Sequence, residues 1–246
     1  MTYTTCTFNT DHSRDTYGLD SFGDFSYSPL SATTCEITGC ALADPVALFI
    51  PEHAPDGRTV VAVADRAFER CATVRTVVLP DTMERIGNRA FAYCTSLVDL
   101  RVGRDSRLVH VGKRAFMGCE CLRVLRLGHV ANDITFGSHA FAYCKRLHSA
   151  ILPDGMIELA PSSFEGCTAL VHVHLPERLA SIRTSAFAAC GALTSMTLPA
   201  TLGVIEDCAF AWCGHLTDVR LPEGACVISA SAFMESPALS DILCAG

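Results

Sequence analysis

His172 and His174 stand two residues apart in the run Val171-His172-Val173-His174-Leu175. On a strand, residues i and i+2 point to the same face, so the two imidazoles could share a metal ion or flank one ligand. A zinc site needs a third His, Cys or carboxylate. The strands expected on either side offer Ser149, Ile151, Ser195 and Thr197, which are poor ligands, and Asp218 is expected two strands away. That is about 10 Å at ordinary strand spacing. The column Ser149, His172, Ser195, Asp218 also contains the residue types of a hydrolase triad. A triad sets its His between nucleophile and acid, whereas here Ser195 falls between His172 and Asp218. No nucleophile elbow and no glycine loop that would cradle phosphate is evident. The two histidines therefore read as part of an exposed binding surface, with an enzyme or metal site around them as a further alternative. No cofactor is implied.

Fourteen cysteines could build a disulfide framework or a metal cluster. Seven of them, Cys71, Cys94, Cys119, Cys144, Cys167, Cys190 and Cys213, occupy one slot of a repeat, and no CxxC pair occurs anywhere. Cys119 and Cys121 form a CxC, but Cys119 belongs to the repeating set. Buried, reduced, structural thiols are the expectation, since free cysteine is among the most buried residue types.

The elements that must position these residues follow from the spacing of Phe68, Phe91, Phe116, Phe141, Phe164, Phe187, Phe210 and Phe233. The steps are 23, 25, 25, 23, 23, 23 and 23 residues, and a period in the twenties held over eight units specifies a solenoid. Ala precedes the Phe in seven units and Ser163 in the eighth. Cys follows three residues later, replaced by Ser236 in the last unit, and Leu six later, replaced by Val74 in the first. Positions 3 and 6 past an aromatic share one side of a helical turn, so stubby helices are expected over segments such as 185–190. Nine and eleven residues past the Phe lie apolar pairs such as Leu125/Leu127 and Met196/Leu198. Period two over a short run means a strand with one buried side. Proline follows at Pro80, Pro153, Pro176, Pro199 and Pro222, ending the strand. Gly103 and Gly128 take its place in the two 25-residue units. A second apolar pair, such as Leu179/Ile182, leads back to the next Phe. Eight coils at about 4.8 Å per strand step give a rod of roughly 40 Å.

The pattern L-x-x-I-x-L-P…I-x-x-x-A-F-x-x-C-x-x-L resembles the BspA-type, or Treponema pallidum-type, leucine-rich repeat over roughly residues 60 to 244. The segment Ile50-Pro51, Asp56-Gly57-Arg58-Thr59-Val60, Asp65-Arg66-Ala67-Phe68 is also similar to the family's opening IP…DGK-x-V…AF. The resemblance implies binding and adhesion surfaces of the kind many bacterial and some protist proteins carry.

The exposed strand positions, eight and ten past each Phe, are then the recognition surface. Asp99, Arg101, Arg126, His172, His174, Asp218 and Arg220 are its candidate binding residues. The formal net charge is −7, which argues against a general nucleic-acid binder. The charge is unevenly spread. Residues 1–57 carry one basic and eight acidic groups, residues 58–126 thirteen and seven, and residues 127–246 five and eleven. The middle band, with Arg101 and Arg126 expected side by side, suits an acidic protein or an anionic glycan, because arginine's planar fork matches carboxylate or sulfate.

The expected architecture is an α/β solenoid, a right-handed leucine-rich-repeat coil with a parallel sheet on one face and short helices on the other. Residues 1–34 read as a polar and aromatic cap or tail, 35–67 as a diverged N-terminal cap, and 68–246 as the repeats. The expected function is non-catalytic protein binding. The alternative is self-assembly, including homodimerisation, through an uncapped C-terminal strand edge at Ile242 and Cys244. The first residues lack the basic start and apolar core of a secretory signal, and no stretch approaches the roughly 18–20 apolar residues of a membrane span. The sequence thus favours a cytoplasmic protein, with a surface or secreted setting if a leader has been removed.

Overall fold

In a computed structural model of the chain, residues 25–41, 45–103, 105–127, 133–221, 224 and 226–237 are described. They form a β-solenoid of stacked coils. Each coil runs through a front strand, a turn, a two-residue side strand and a series of tight turns around its Phe. The stack is held by parallel ladders in which each residue pairs with its equivalent one coil on.

The front strands are the expected apolar pairs. In Thr76–Leu79 the burial alternates, with Val77 and Leu79 inside. In Val124–Arg126 and Ser195–Thr197 only the central Leu125 and Met196 point inward. The front sheet is not continuous. Ala47–Phe49, Thr76–Leu79 and Asp99–Val102 form one ladder, Val124–Arg126, Ser149–Ile151 and His172–His174 a second, and Ser195–Thr197 with Asp218–Arg220 a third. The first break falls beside the two 25-residue coils, and the second between His172–His174 and Ser195–Thr197.

A second sheet lies along the side of the stack, built from strands too short to announce themselves by alternation. Thr59–Val63, Arg85–Ile86, His110–Val111 and Thr135–Phe136 make one run. Glu158–Leu159, Ser181–Ile182, Val204–Ile205 and Val227–Ile228 make another. At the first end Thr34–Cys40 joins Thr59–Val63 in parallel, and Phe25–Pro29 pairs antiparallel outside it. Phe25 meets Phe68 edge to face at 6.4 Å, so the outer strand lays an aromatic ring against the first Phe layer.

The short helices expected opposite the front sheet do not form; the described residues contain no helix. The hydrogen bonds give the reason. Around each Phe the backbone donors alternate. Arg66, Phe68 and Arg70 N–H donate forward to Asn88, Ala90 and Ala92 of the next coil. Between them, Ala67, Glu69 and Cys71 N–H close turns onto the carbonyl three residues back. A helix would need every donor for its own carbonyls. Two residues per coil must also turn left-handed, at two before and two after the Phe: Arg89 and Tyr93 at φ 54° and 61°, His139 and Tyr143 at 60° and 60°. The spacing of Phe, Cys and Leu placed these residues on one buried side, which holds, but consecutive tight turns satisfy that spacing as well as a helical turn does.

The core is a column of like residues. From Phe68 to Phe233 the rings stack with centroids 5.0–5.7 Å apart and planes within 14°, the offset arrangement aromatic pairs prefer. The Cys slot has its own bond. Cys94, Cys119, Cys144, Cys167, Cys190 and Cys213 each donate the thiol to the Phe carbonyl of the preceding coil, at 3.2–3.3 Å. Ser236 makes the same bond with its hydroxyl at 2.6 Å. Burial disfavours the charged thiolate. It pushes Cys94 and Cys213 from 9.0 up to about 12 and raises Cys119, Cys167 and Cys190 well above 9.0. Among the described residues Cys35, Cys71, Cys94, Cys119, Cys121, Cys144, Cys167, Cys190, Cys208, Cys213 and Cys226 form no disulfide. Ile242, Cys244 and the C-terminal edge, together with residues 1–24, lie outside the described residues. Among the described residues no helix is long and apolar enough to cross a membrane.

Candidate functional site

The front face carries the expected columns. Register places Val124, Ser149 and His172 in one row and Arg126, Ile151 and His174 in the next. Beyond the break, Ser195 pairs with Asp218 and Thr197 with Arg220. His172 and His174 therefore occupy the last strand of one ladder, facing Ser195 and Thr197 on the first strand of another.

That break opens a cavity of about 640 Å³. Ser149, Ile151, His172 and His174 form one wall, and Ser195, Thr197 and Leu198 the other. Glu177, Pro199 and Ala200 line it from the turns that follow the strands. The backbone contributes as well. In the coil before, the His148 carbonyl accepts the Val171 and His172 N–H groups at 3.0 and 3.2 Å. In the coil after, the Thr194 carbonyl accepts Thr217 and Asp218 N–H at 3.0 and 3.2 Å. Across the cavity the equivalent bonds from Thr194 and Ser195 to the Val171 carbonyl are absent. The Leu175 N–H likewise lacks the bond to Thr197 that Leu198 N–H makes to Arg220 at 3.1 Å. Main-chain donors and acceptors thus lie without backbone partners beside the two histidines. The His172 ring is held edge to face against His148 at 5.4 Å.

Among the described residues no three of His, Cys, Asp and Glu come together as a metal-binding group. No hydrogen bond joins His172 to Ser149, Ser195 or Asp218, so the residue types of a triad are not connected as one.

The charged candidates divide. Arg101 bonds the carboxylate of Asp99 on its own strand at 2.6 Å, and Arg220 lies 3.9 Å from Asp218 in the same relation. Each such pair neutralises itself locally. Arg126 makes no ion pair among the described residues and stands in register with Ile151, next to the cavity. Arg101 and Arg126 hold the same slot in consecutive coils, but the first break in the ladder lies between their strands. Asp99 and Arg101 are therefore separated from the histidine cavity, whereas Asp218 and Arg220 flank it. Glu177 and Ala200 belong to the cavity and were not singled out in the sequence, and Pro199 was read there only as a strand-ending residue; the place of Glu177 and Ala200 directly after Pro176 and Pro199 was the available signal.

A model of the BspA-type leucine-rich repeat region matches residues 61–134 and 134–245, with six copies. Among solved structures, a leucine-rich repeat protein from Bacteroides ovatus superposes with a TM-score of 0.76 at 25% identity, over 89% of this chain. The chain spans 57% of that protein's length. The T. pallidum leucine-rich repeat protein matches over 94% of both chains with a TM-score of 0.63 and 26% identity. A leucine-rich cell surface protein from Faecalibacterium prausnitzii shares the fold with a TM-score of 0.63 at 23% identity, over 92% of this chain and 76% of its own. No curated protein shows significant similarity to the sequence.

Proposed function

Since the chain belongs to the BspA-type leucine-rich repeat family, we propose that it is a non-catalytic binding module whose front face takes an extended segment of another protein. The observation that carries this reading is the open ladder at the histidine cavity. A stretch of polypeptide has alternating main-chain donors and acceptors, and the Val171 carbonyl and Leu175 N–H are groups of that kind left without strand partners. Side chains around them supply selectivity: His172, His174, Ser195 and Thr197 are polar and exposed, while Ile151 and Pro199 add apolar contact. Arg126 next to Ile151 favours an acidic residue in the segment, because its guanidinium has no carboxylate of its own among the described residues.

The test is a paired capture experiment followed by measured affinity. Wild-type protein and a variant with Arg126, His172, His174 and Arg220 changed to Ala are compared as baits, after circular dichroism shows equal folding. A protein held by wild type and lost from the variant, whose isolated binding segment then titrates wild type alone, supports the front face. Identical capture profiles would remove it as the binding surface.

A further inference from the structure

A second concavity, about 460 Å³, runs along the corner where the side sheet passes into the Phe turns of the first four coils. Each coil contributes two successive residues to it. The second residues, Arg66, Arg89, Arg114 and His139, sit in the left-handed region at φ 54–60°. The first residues form a row whose backbone N–H groups are not used by the coil-to-coil ladder. The chain supplies acceptors for two of them from the row itself. Asn88 N–H donates to Asp65 Oδ1 at 2.7 Å, and Lys113 N–H donates to Asn88 Oδ1 at 2.9 Å. The third step fails, because a lysine has no acceptor. Ser138 N–H has no protein partner among the described residues. The rungs are tight here: a Cβ on Gly112 would fall 2.6 Å from the Gly87 carbonyl carbon, and one on Gly137 only 2.4 Å from Lys113 N.

The charges around Ser138 are unbalanced in one place. Arg66 and Arg89 share Glu69, at 3.6 Å each. Lys113 and Arg114, which flank Ser138, make no ion pair among the described residues. His139 adds a buried Nδ1 with no hydrogen-bond partner, although its Nε2 lies 3.7 Å from Glu165. An oxyanion seated on Ser138 N–H between Lys113 and Arg114 would complete the row that Asp65 and Asn88 begin, with charge-assisted bonds in a site that already presents backbone N–H.

We propose that this corner groove binds an anionic polysaccharide, with one sulfate or carboxylate held at Ser138, Lys113 and Arg114 and the chain running along the coils. The repeat of the groove sets the polymer. Successive coils are 5.2–5.3 Å apart here by their Phe rings, and Arg66, then Arg89, then Lys113 with Arg114 line them in turn, so an anionic chain lying in the groove meets a cation on each of three coils. Same-side groups of an extended peptide recur at about 6.6–6.8 Å and drift out of register with the coils. This site is on a different side of the solenoid from the histidine cavity and does not depend on the reading of that cavity.

The full chain is tested against heparin and polygalacturonate by calorimetry, with poly-glutamate as the peptide comparison. Four variants are used: Lys113→Glu with Arg114→Glu, Ser138→Pro, Ser138→Ala, and His172→Ala with His174→Ala. Pro161 already occupies the equivalent row position, three residues before Phe164, so the fold accepts Ser138→Pro, which removes the N–H together with the hydroxyl. Ser138→Ala, which removes the hydroxyl alone, separates the two. Wild type should bind one or both glycans more tightly than poly-glutamate, with affinity falling as salt rises. The double charge reversal should weaken binding roughly tenfold or more, and Ser138→Pro several-fold, as expected for losing charge-assisted hydrogen bonds. Ser138→Ala and the histidine variant should bind as wild type. No glycan binding at low salt, undiminished binding by the charge-reversal or proline variant, a loss in Ser138→Ala as large as in Ser138→Pro, or tighter binding of poly-glutamate would each overturn the proposal. Loss of binding only in the histidine variant would also overturn it, moving the glycan to the front face.

Discussion

Two glycine-to-alanine substitutions should shift stability in opposite directions, although the chemical change is the same. At Gly112 an added Cβ would lie 2.6 Å from the Gly87 carbonyl carbon, 2.7 Å from Asn88 N and 2.8 Å from the Gly87 oxygen. All three atoms are backbone of the preceding coil, which is itself clamped by the ladder, so no side chain can swing aside. Overpacking of a close-packed region costs about 1–3 kcal/mol, and backbone obstruction places Gly112→Ala near about 3 kcal/mol. At Gly191 nothing lies within 4 Å of the same Cβ, and the equivalent slot holds Thr95, Glu120, Lys145 and Thr168 in other coils. There the substitution only restricts the unfolded chain and should stabilise by about 0.4–1 kcal/mol. Urea titration measures both. With a slope of about 3 kcal/mol/M, the two midpoints should separate by roughly 1 M, with Gly191→Ala above wild type and Gly112→Ala below. A Gly112→Ala midpoint at or above wild type would refute the reasoning, because it would show that the coil stack spreads at this corner without cost.

Replacing Cys144 by Ser should be tolerated within about 1–2 kcal/mol, because a hydroxyl can make the same bond to the Phe116 carbonyl that Ser236 makes to Phe210. Cys144→Leu, which overfills a side chain with no exposed surface and donates nothing, should cost clearly more in the same titration. Stability should also decline in alkali: the Cys94 and Cys213 thiols are raised in the fold from 9.0 to about 12. Their contribution is complete below pH 9 and is lost as pH rises through that window, because the unfolded chain releases its protons first. Urea midpoints measured from pH 8 upward at constant ionic strength check this, and a flat profile to pH 11 would contradict the burial of those thiols.

The Phe column, the Cys slot and the front strands were legible because each depends on one residue type in a fixed place. Val77 and Leu79, or Leu125 and Leu127, alternate over enough residues to declare a strand. The side strands are two residues long, as at His110–Val111 and Ser181–Ile182. A single buried Val111 or Ile182 has no period to read. The expected helices failed because side-chain spacing says which residues are buried, not where Arg66 or Phe68 sends its N–H. The candidate site was legible as a row of residues but not as a cavity. His172, His174, Ser195 and Thr197 were on the page from the start. The missing bonds between their strands are a backbone property, and both flanking units have the same 23-residue length.

The forward bonds of the Phe turns have an electrostatic consequence. From the Phe68 coil to the Phe210 coil, N–H groups at and around each Phe point toward the following coil, and the carbonyls that receive them point back. Peptide dipoles aligned in this way add, as they do along a helix axis. Along this corner the sense is the reverse of a helix, with N–H groups directed toward the Phe233 coil, whereas donors of the two sheets such as Val98, Val109 and Gly112 N–H point back to the preceding coil, so the alignment is local to the Phe turns and the sheets offset it.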